Sequence, residues 1–166
     1  MLELLRPRLF VESVHKIDLQ ALKAQGIAAI CSDLDNTLVP WSAEQVNPEL
    51  LSWLQSVRDA GLEFFLVSNA VPSRLQHFLQ LLGVQGIGKA GKPRRRAFLK
   101  ALSQLQLPAN RVALVGDQIF TDILGGNRVG MYTILVVPLS QTEFIGTRIM
   151  RRIERVALRA LRLPTP

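Results

Sequence analysis

Short apolar runs alternate with helical patterns along almost the whole of this chain, and few folds accept that alternation. Strand-like runs fall near 27–33, 62–68, 84–88, 112–116 and 132–137, with helical candidates near 48–60, 72–82, 93–106 and 118–128. Pro48, Pro72 and Pro93 each stand where a first helical turn would begin, a place that tolerates a missing N–H. Gly61 and Gly83 follow helical stretches and can supply left-handed C-caps. Strands that alternate with helices build right-handed βαβ units, hence an α/β architecture: a parallel sheet with helices on both faces. The chain has 166 residues, enough for one domain with a sizeable core, and its linkers are too short for an inserted second domain.

Composition narrows the class. Hydrophobic residues make up 48% and mean hydropathy is +0.21, yet no run of 18 uninterrupted apolar residues predicts a transmembrane helix. The N-terminus lacks the apolar run and small-residue cleavage site of a secretory signal. The single cysteine, Cys31, lies inside the first predicted strand; it excludes an internal disulfide, fits a reducing compartment and reads as a small core residue. Net charge is +7, and its distribution is uneven. From Gly146 onward six arginines (148, 151, 152, 155, 159 and 162) face one acid, Glu154, so that segment alone carries +5. We therefore divide the chain into a single α/β domain over 1–140, with an amphipathic N-terminal segment, and a basic amphipathic helix or tail over 141–166.

Four groups of chemistry-bearing residues fall at or near strand exits. They are Asp33-Leu34-Asp35-Asn36-Thr37, Ser68-Asn69, Lys92-Pro93, and Gly116-Asp117 with Asp122. In a parallel sheet every strand ends on the same rim, where open α/β sheets bind ligands. Each group alone has a plain reading as a turn, a solvated lysine or a helix cap; together and in this order they suit phosphoryl transfer. Asp33 could attack phosphorus, and Asp35 could protonate the leaving oxygen and then activate water. Asp33, the backbone carbonyl of Asp35 and Asp117, with Asp122 in support, offer the oxygen ligands that Mg²⁺ prefers. Ser68 and the backbone N–H of Asn69 could hold phosphoryl oxygens, and Lys92 could offset charge on both nucleophile and phosphate. Lys89 competes for that last role, but Pro93 favours Lys92. His15 and His77 show no ligand spacing.

This set of motifs resembles the haloacid dehalogenase (HAD) superfamily over roughly residues 27–137. The resemblance implies a Mg²⁺-dependent phosphohydrolase on a Rossmann-like, five-stranded parallel sheet of order 5-4-1-2-3. Asp35, two residues past the nucleophile position, matches the family's phosphatases rather than its dehalogenases. The gaps from Asp33 to Ser68 and from Ser68 to Lys92 each hold one helix and a strand, which predicts no cap domain and an open site. The opening Leu9-Phe10-Val11-Glu12-Ser13-Val14 and the run Leu34-Asp35-Asn36-Thr37-Leu38-Val39-Pro40-Trp41 look like the small subfamily IIIA phosphatases related to phosphatidylglycerophosphate phosphatases. That likeness implies removal of the terminal phosphate of phosphatidylglycerophosphate.

The C-terminal segment supplies an independent clue to partners. Ile145, Ile149, Ile153, Val156, Ala160 and Leu163 form one stripe of a helical wheel and the arginines another face. Basic amphipathic helices of this kind lie in membrane interfaces, and each basic residue near an anionic surface adds roughly 1 kcal/mol. The expected partners are thus a phospholipid substrate and an anionic membrane surface, with a cytoplasmic, peripherally membrane-associated location. The stripe could instead pack on the domain or a second subunit. Nucleic acid is disfavoured, because no aromatic residue interleaves with the basic run. Leu2, Leu4, Leu5, Leu9 and Phe10 could dip into the same interface or equally pack against the C-terminal helix, and Trp41 could sit at a lipid surface or shape the site mouth. Arg94, Arg95 and Arg96 could contact a second substrate anion or form a solvated first turn; cations there oppose the helix dipole. A soluble phosphatase for small metabolites or nucleic-acid ends, and a non-catalytic interaction module, are the other functions this sequence permits.

Overall fold

Six parallel strands form one sheet in the computed structural model, which describes residues 2–140. They are β1 (Leu9–Val11), β2 (Ala29–Ser32), β3 (Glu63–Val67), β4 (Gln85–Ile87), β5 (Val112–Gly116) and β6 (Tyr132–Val136), in the order β1-β6-β5-β2-β3-β4. The five predicted strands keep the predicted order among themselves. The count of five is corrected by β1, a three-residue, half-buried strand that pairs only with β6 and closes that edge. Three residues are too few to show a period, so sequence pattern gives no signal for it.

The helices are α1 (Leu19–Ala24), α2 (Pro48–Asp59), α3 (Pro72–Leu82), α4 (Arg95–Leu105) and α5 (Leu124–Val129). Asp18 and Asn47 cap α1 and α2 with side-chain oxygens that accept from Ala21 N and Leu50 N. Pro48 and Pro72 occupy first-turn positions as expected, and Gly83 ends α3 in the left-handed region at φ 63°. Pro93 does not open α4: Arg94 is still extended, with ψ 136°, and the helix starts one residue later. The helix expected at 118–128 begins as a π-helical turn, Ile119–Ile123, before α5.

Alternation along the strands sends side chains into two cores. Ile30, Leu66, Val115 and Ile134 pack with Leu54, Val57 and Phe78 of α2 and α3, while Ala29, Cys31, Phe65 and Leu114 pack with Phe98, Ala101 and Leu102 of α4. Burial pushes the Cys31 thiol up to about 12, so it behaves as the core residue its position predicts. The N-terminal segment lies on the domain itself. Leu5 and Phe10 pack against Ile119, Ile123 and Leu135, and Asn127 Nδ2 donates to the carbonyls of Leu4 (2.8 Å) and Arg6 (2.9 Å). The predicted helix over 141–166 lies outside the described residues. Among the described residues no helix is long and apolar enough to cross a membrane.

Register sets the site. Ser32 pairs with Leu66 on one side and Val115 on the other, and Asp33 N continues the ladder to Val115 O at 2.9 Å. Asp33, Ser68 and Asp117 therefore leave three adjacent central strands within about a residue of one another.

Candidate active site

Lys92 stands at the centre of the buried polar cluster. Its Nζ lies 2.9 Å from Asp33 Oδ1 and 2.7 Å from Asp122 Oδ1, with its side chain only 1% exposed. Burial alone would lower its pKa; the attraction of Asp122 and Asp33 overrides that and raises it, so the ammonium stays charged. Burial raises the Asp122 carboxyl, and Lys92 partly offsets the effect. Asp122 Oδ2 accepts from Gln118 N at 3.2 Å and Thr121 Oγ at 3.3 Å, which folds the chain back over the π-turn. Gly116 permits the approach. A Cβ there would lie 2.3 Å from Asp122 Cγ, far inside van der Waals contact.

The two aspartates after β2 diverge. Asp33 Oδ1 accepts from Leu34 N at 2.7 Å as well as from Lys92, so both contacts fall on one oxygen and Oδ2 is left for other chemistry. Asp35 turns the other way, where Arg74 Nε and Nη2 both reach its Oδ1 at 2.8 Å. Burial raises the Asp35 carboxyl, the Arg74 hydrogen bond and charge pull it back down, and Asp33 adds to the rise. Thr37 Oγ donates to Asp117 Oδ1 at 3.0 Å and ties the loop after β2 to the exit of β5. Asn36 sits at φ 61°, a conformation Asn tolerates.

Ser68 is buried, and its Oγ accepts from Ala70 N at 3.0 Å, which leaves its own O–H to donate. Asn69 Oδ1 accepts from Lys92 N at 3.0 Å and sets the loop that carries the lysine. Asp33, Asp35, Ser68, Asn69 and Lys92 line one open cleft of about 500 Å³, together with Asn36, Trp41, Ala70, Val71, Arg74, Gln118 and Thr121. Arg94, Arg95 and Arg96 are exposed and do not belong to that lining. Lys89 is likewise exposed.

Asp33, Asp117 and Asp122 each offer a carboxylate oxygen, and the three oxygens lie within 4.8 Å of one another. Three buried carboxyl groups gathered around one lysine form an acidic oxygen set, which a divalent cation with oxygen preference would stabilise. The donor set therefore fits Mg²⁺.

Arg74 is the residue that motif reading passes over. A signal for it existed: it is a cation in the first turn of α3, where the helix dipole disfavours positive charge. The same argument singles out Arg94–Arg96, which face solvent.

A sequence model of the haloacid dehalogenase-like hydrolases matches residues 16–130. A Bacillus subtilis (strain 168) protein named "Probable phosphatase YqeG" is 38% identical over 156 residues, covering 94% of this chain and 91% of its own length. The chloroplastic phosphatidylglycerophosphate phosphatase 1 of Chlamydomonas reinhardtii is 30% identical, over 89% of this chain and 59% of its own length. Among solved structures, a HAD phosphatase from Thermococcus onnurineus superposes with a TM-score of 0.51 at 23% identity, over 61% of this chain and 51% of its own; that likeness is one of fold.

Proposed function

The chain belongs to the haloacid dehalogenase-like hydrolase family, and on that premise we propose that it is a phosphomonoester hydrolase that works through an aspartyl-phosphate on Asp33. The observation that carries this reading is the way the two aspartates are held. Each is fixed by one oxygen, Asp33 by Lys92 and Leu34 N, Asp35 by Arg74, and each can present the other oxygen to a shared cleft. An oxygen of Asp33 attacks phosphorus while the P–O bond to the alcohol breaks, and the proton of Asp35 passes to the departing oxygen. Asp35 then takes a proton from a water molecule whose oxygen attacks the aspartyl-phosphate. The P–O bond to Asp33 breaks, inorganic phosphate leaves, and Asp35 is again protonated. Ser68 O–H, the backbone N–H of Asn69 and Lys92 hold the phosphoryl oxygens. Asp33, Asp117, Asp122 and the carbonyl of Asp35 would hold Mg²⁺, which when bound supplies positive charge to the phosphoryl group.

We further assign the substrate as phosphatidylglycerophosphate, cleaved to phosphatidylglycerol at a membrane surface. The name of the Chlamydomonas relative supports this, and so does the apolar mouth of the site. Trp41 and Val71 line the cleft and are 48% and 57% exposed. Leu139, 46% exposed, donates its N–H at 2.9 Å to the carbonyl of Asn36, itself a residue of the cleft lining. The Arg-rich residues 146–166, which carry +5, follow in the sequence and would add attraction to an anionic surface. No helix separates Ser32 from Pro48, and α3 alone lies between β3 and β4; both support an uncapped site open to a surface-bound substrate.

The test is Mg²⁺-dependent phosphate release from phosphatidylglycerophosphate in mixed micelles, beside sugar phosphates and nucleotides. Selective release from the lipid is expected, with vesicle binding weakened about tenfold or more when residues 146–166 are deleted. Release from soluble esters alone would overturn the lipid assignment and leave the hydrolase.

A further inference from the structure

We propose that Arg74 is a positioning residue: it fixes the orientation of the Asp35 carboxylate for proton transfer and locks that carboxylate to the loop at the cleft mouth. The proposal rests on the assignment of Asp35 as proton carrier. Arg74 spends its guanidinium on three partners at once. Nε and Nη2 lie 2.8 Å from Asp35 Oδ1, Nη1 donates to Ala43 O at 2.8 Å, and Nη2 also reaches Pro40 O at 3.2 Å. The group lies 4.9 Å from the centroid of the Phe78 ring, one turn along α3, and Phe78 is fully buried. The core therefore sets the plane of the guanidinium, and that plane sets Asp35. A second residue of α3 holds the same loop, through His77 Nε2 at 2.7 Å from Glu44 O.

With both guanidinium contacts on Oδ1, the carboxyl is oriented through one oxygen and Oδ2 is the oxygen left to carry the proton. A planar fork can do this and a point charge cannot. If Arg74 only stapled the loop to α3, its loss would slow every substrate alike. If it orients the acid, its loss slows the substrates whose leaving group needs a proton.

Two esters of nearly the same shape separate these cases: phenyl phosphate, whose leaving group is poor, and p-nitrophenyl phosphate, whose leaving group departs without help. In the full-length protein, Arg74→Ala should lower kcat/KM for phenyl phosphate about 10–100-fold and for p-nitrophenyl phosphate less than about 5-fold. Added guanidinium ion should restore much of the loss, and Arg74→Lys should show the same selectivity as Arg74→Ala. The ratio of the two esters is the readout, so a partly unfolded preparation does not distort it. Asp35→Asn is the control. If Asp35→Asn discriminates between the esters and Arg74→Ala slows both equally, Arg74 is only a staple and the proposal fails. If Asp35→Asn does not discriminate, the premise about Asp35 fails first.

Discussion

Replacing Asp33 by Asn should abolish turnover while leaving the fold in place. The carboxamide keeps the shape of the side chain and an acceptor oxygen for Leu34 N and the Lys92 ammonium, the two partners of Oδ1. It has no oxygen nucleophilic enough to attack phosphorus, and the remaining carboxylates are engaged by other partners, Asp35 by Arg74, Asp117 by Thr37 and Asp122 by Lys92. A loss on the order of 10⁴-fold or more in kcat is expected, because removal of a nucleophile disables every later step. The check is phosphate release by wild type and variant in Mg²⁺, with thermal melts on the same samples. A variant that kept more than a tenth of wild-type turnover would remove Asp33 from the nucleophile's role, whatever the substrate.

Much of this site was legible in the sequence because a parallel sheet turns sequence-distant strand exits into neighbours. Asp33, Ser68 and Asp117 follow three apolar runs, and those runs became the central strands β2, β3 and β5. What escaped was set by contacts that no local pattern encodes. Arg74 meets Asp35 across 39 positions in the chain, and only its unfavourable place in a helix's first turn hinted at a partner. The π-turn at Ile119–Ile123 forms where Asp122 folds back onto Gln118 N, a preference of the buried ion cluster rather than of the segment. β1 owes its conformation to pairing with β6. The N-terminal apolar residues read as ready for a membrane or for the C-terminal helix, yet Leu5 and Phe10 are claimed by an apolar notch between the π-turn and β6.

Lys92→Met should cost both stability and activity, and the two losses have separate causes. The side chain is almost wholly enclosed and its ammonium bridges Asp33 and Asp122. Met keeps the apolar stem but leaves those carboxylates, with Asp117 close by, facing one another without a cation. Breaking one member of a buried ion cluster costs about 3–5 kcal/mol, which in a domain of this size lowers Tm by about 6–20 °C. Loss of a charge aimed at the phosphoryl oxygens should lower kcat by about 10²–10³-fold besides. If the three carboxylates form a cation site, Mg²⁺ should raise the Tm of the variant more than that of wild type, since it then supplies the only compensating charge. That comparison needs no substrate and isolates electrostatics from catalysis. Equal Mg²⁺ responses in the two proteins, or a Tm within about 2 °C of wild type, would show that Lys92 does not hold this cluster together.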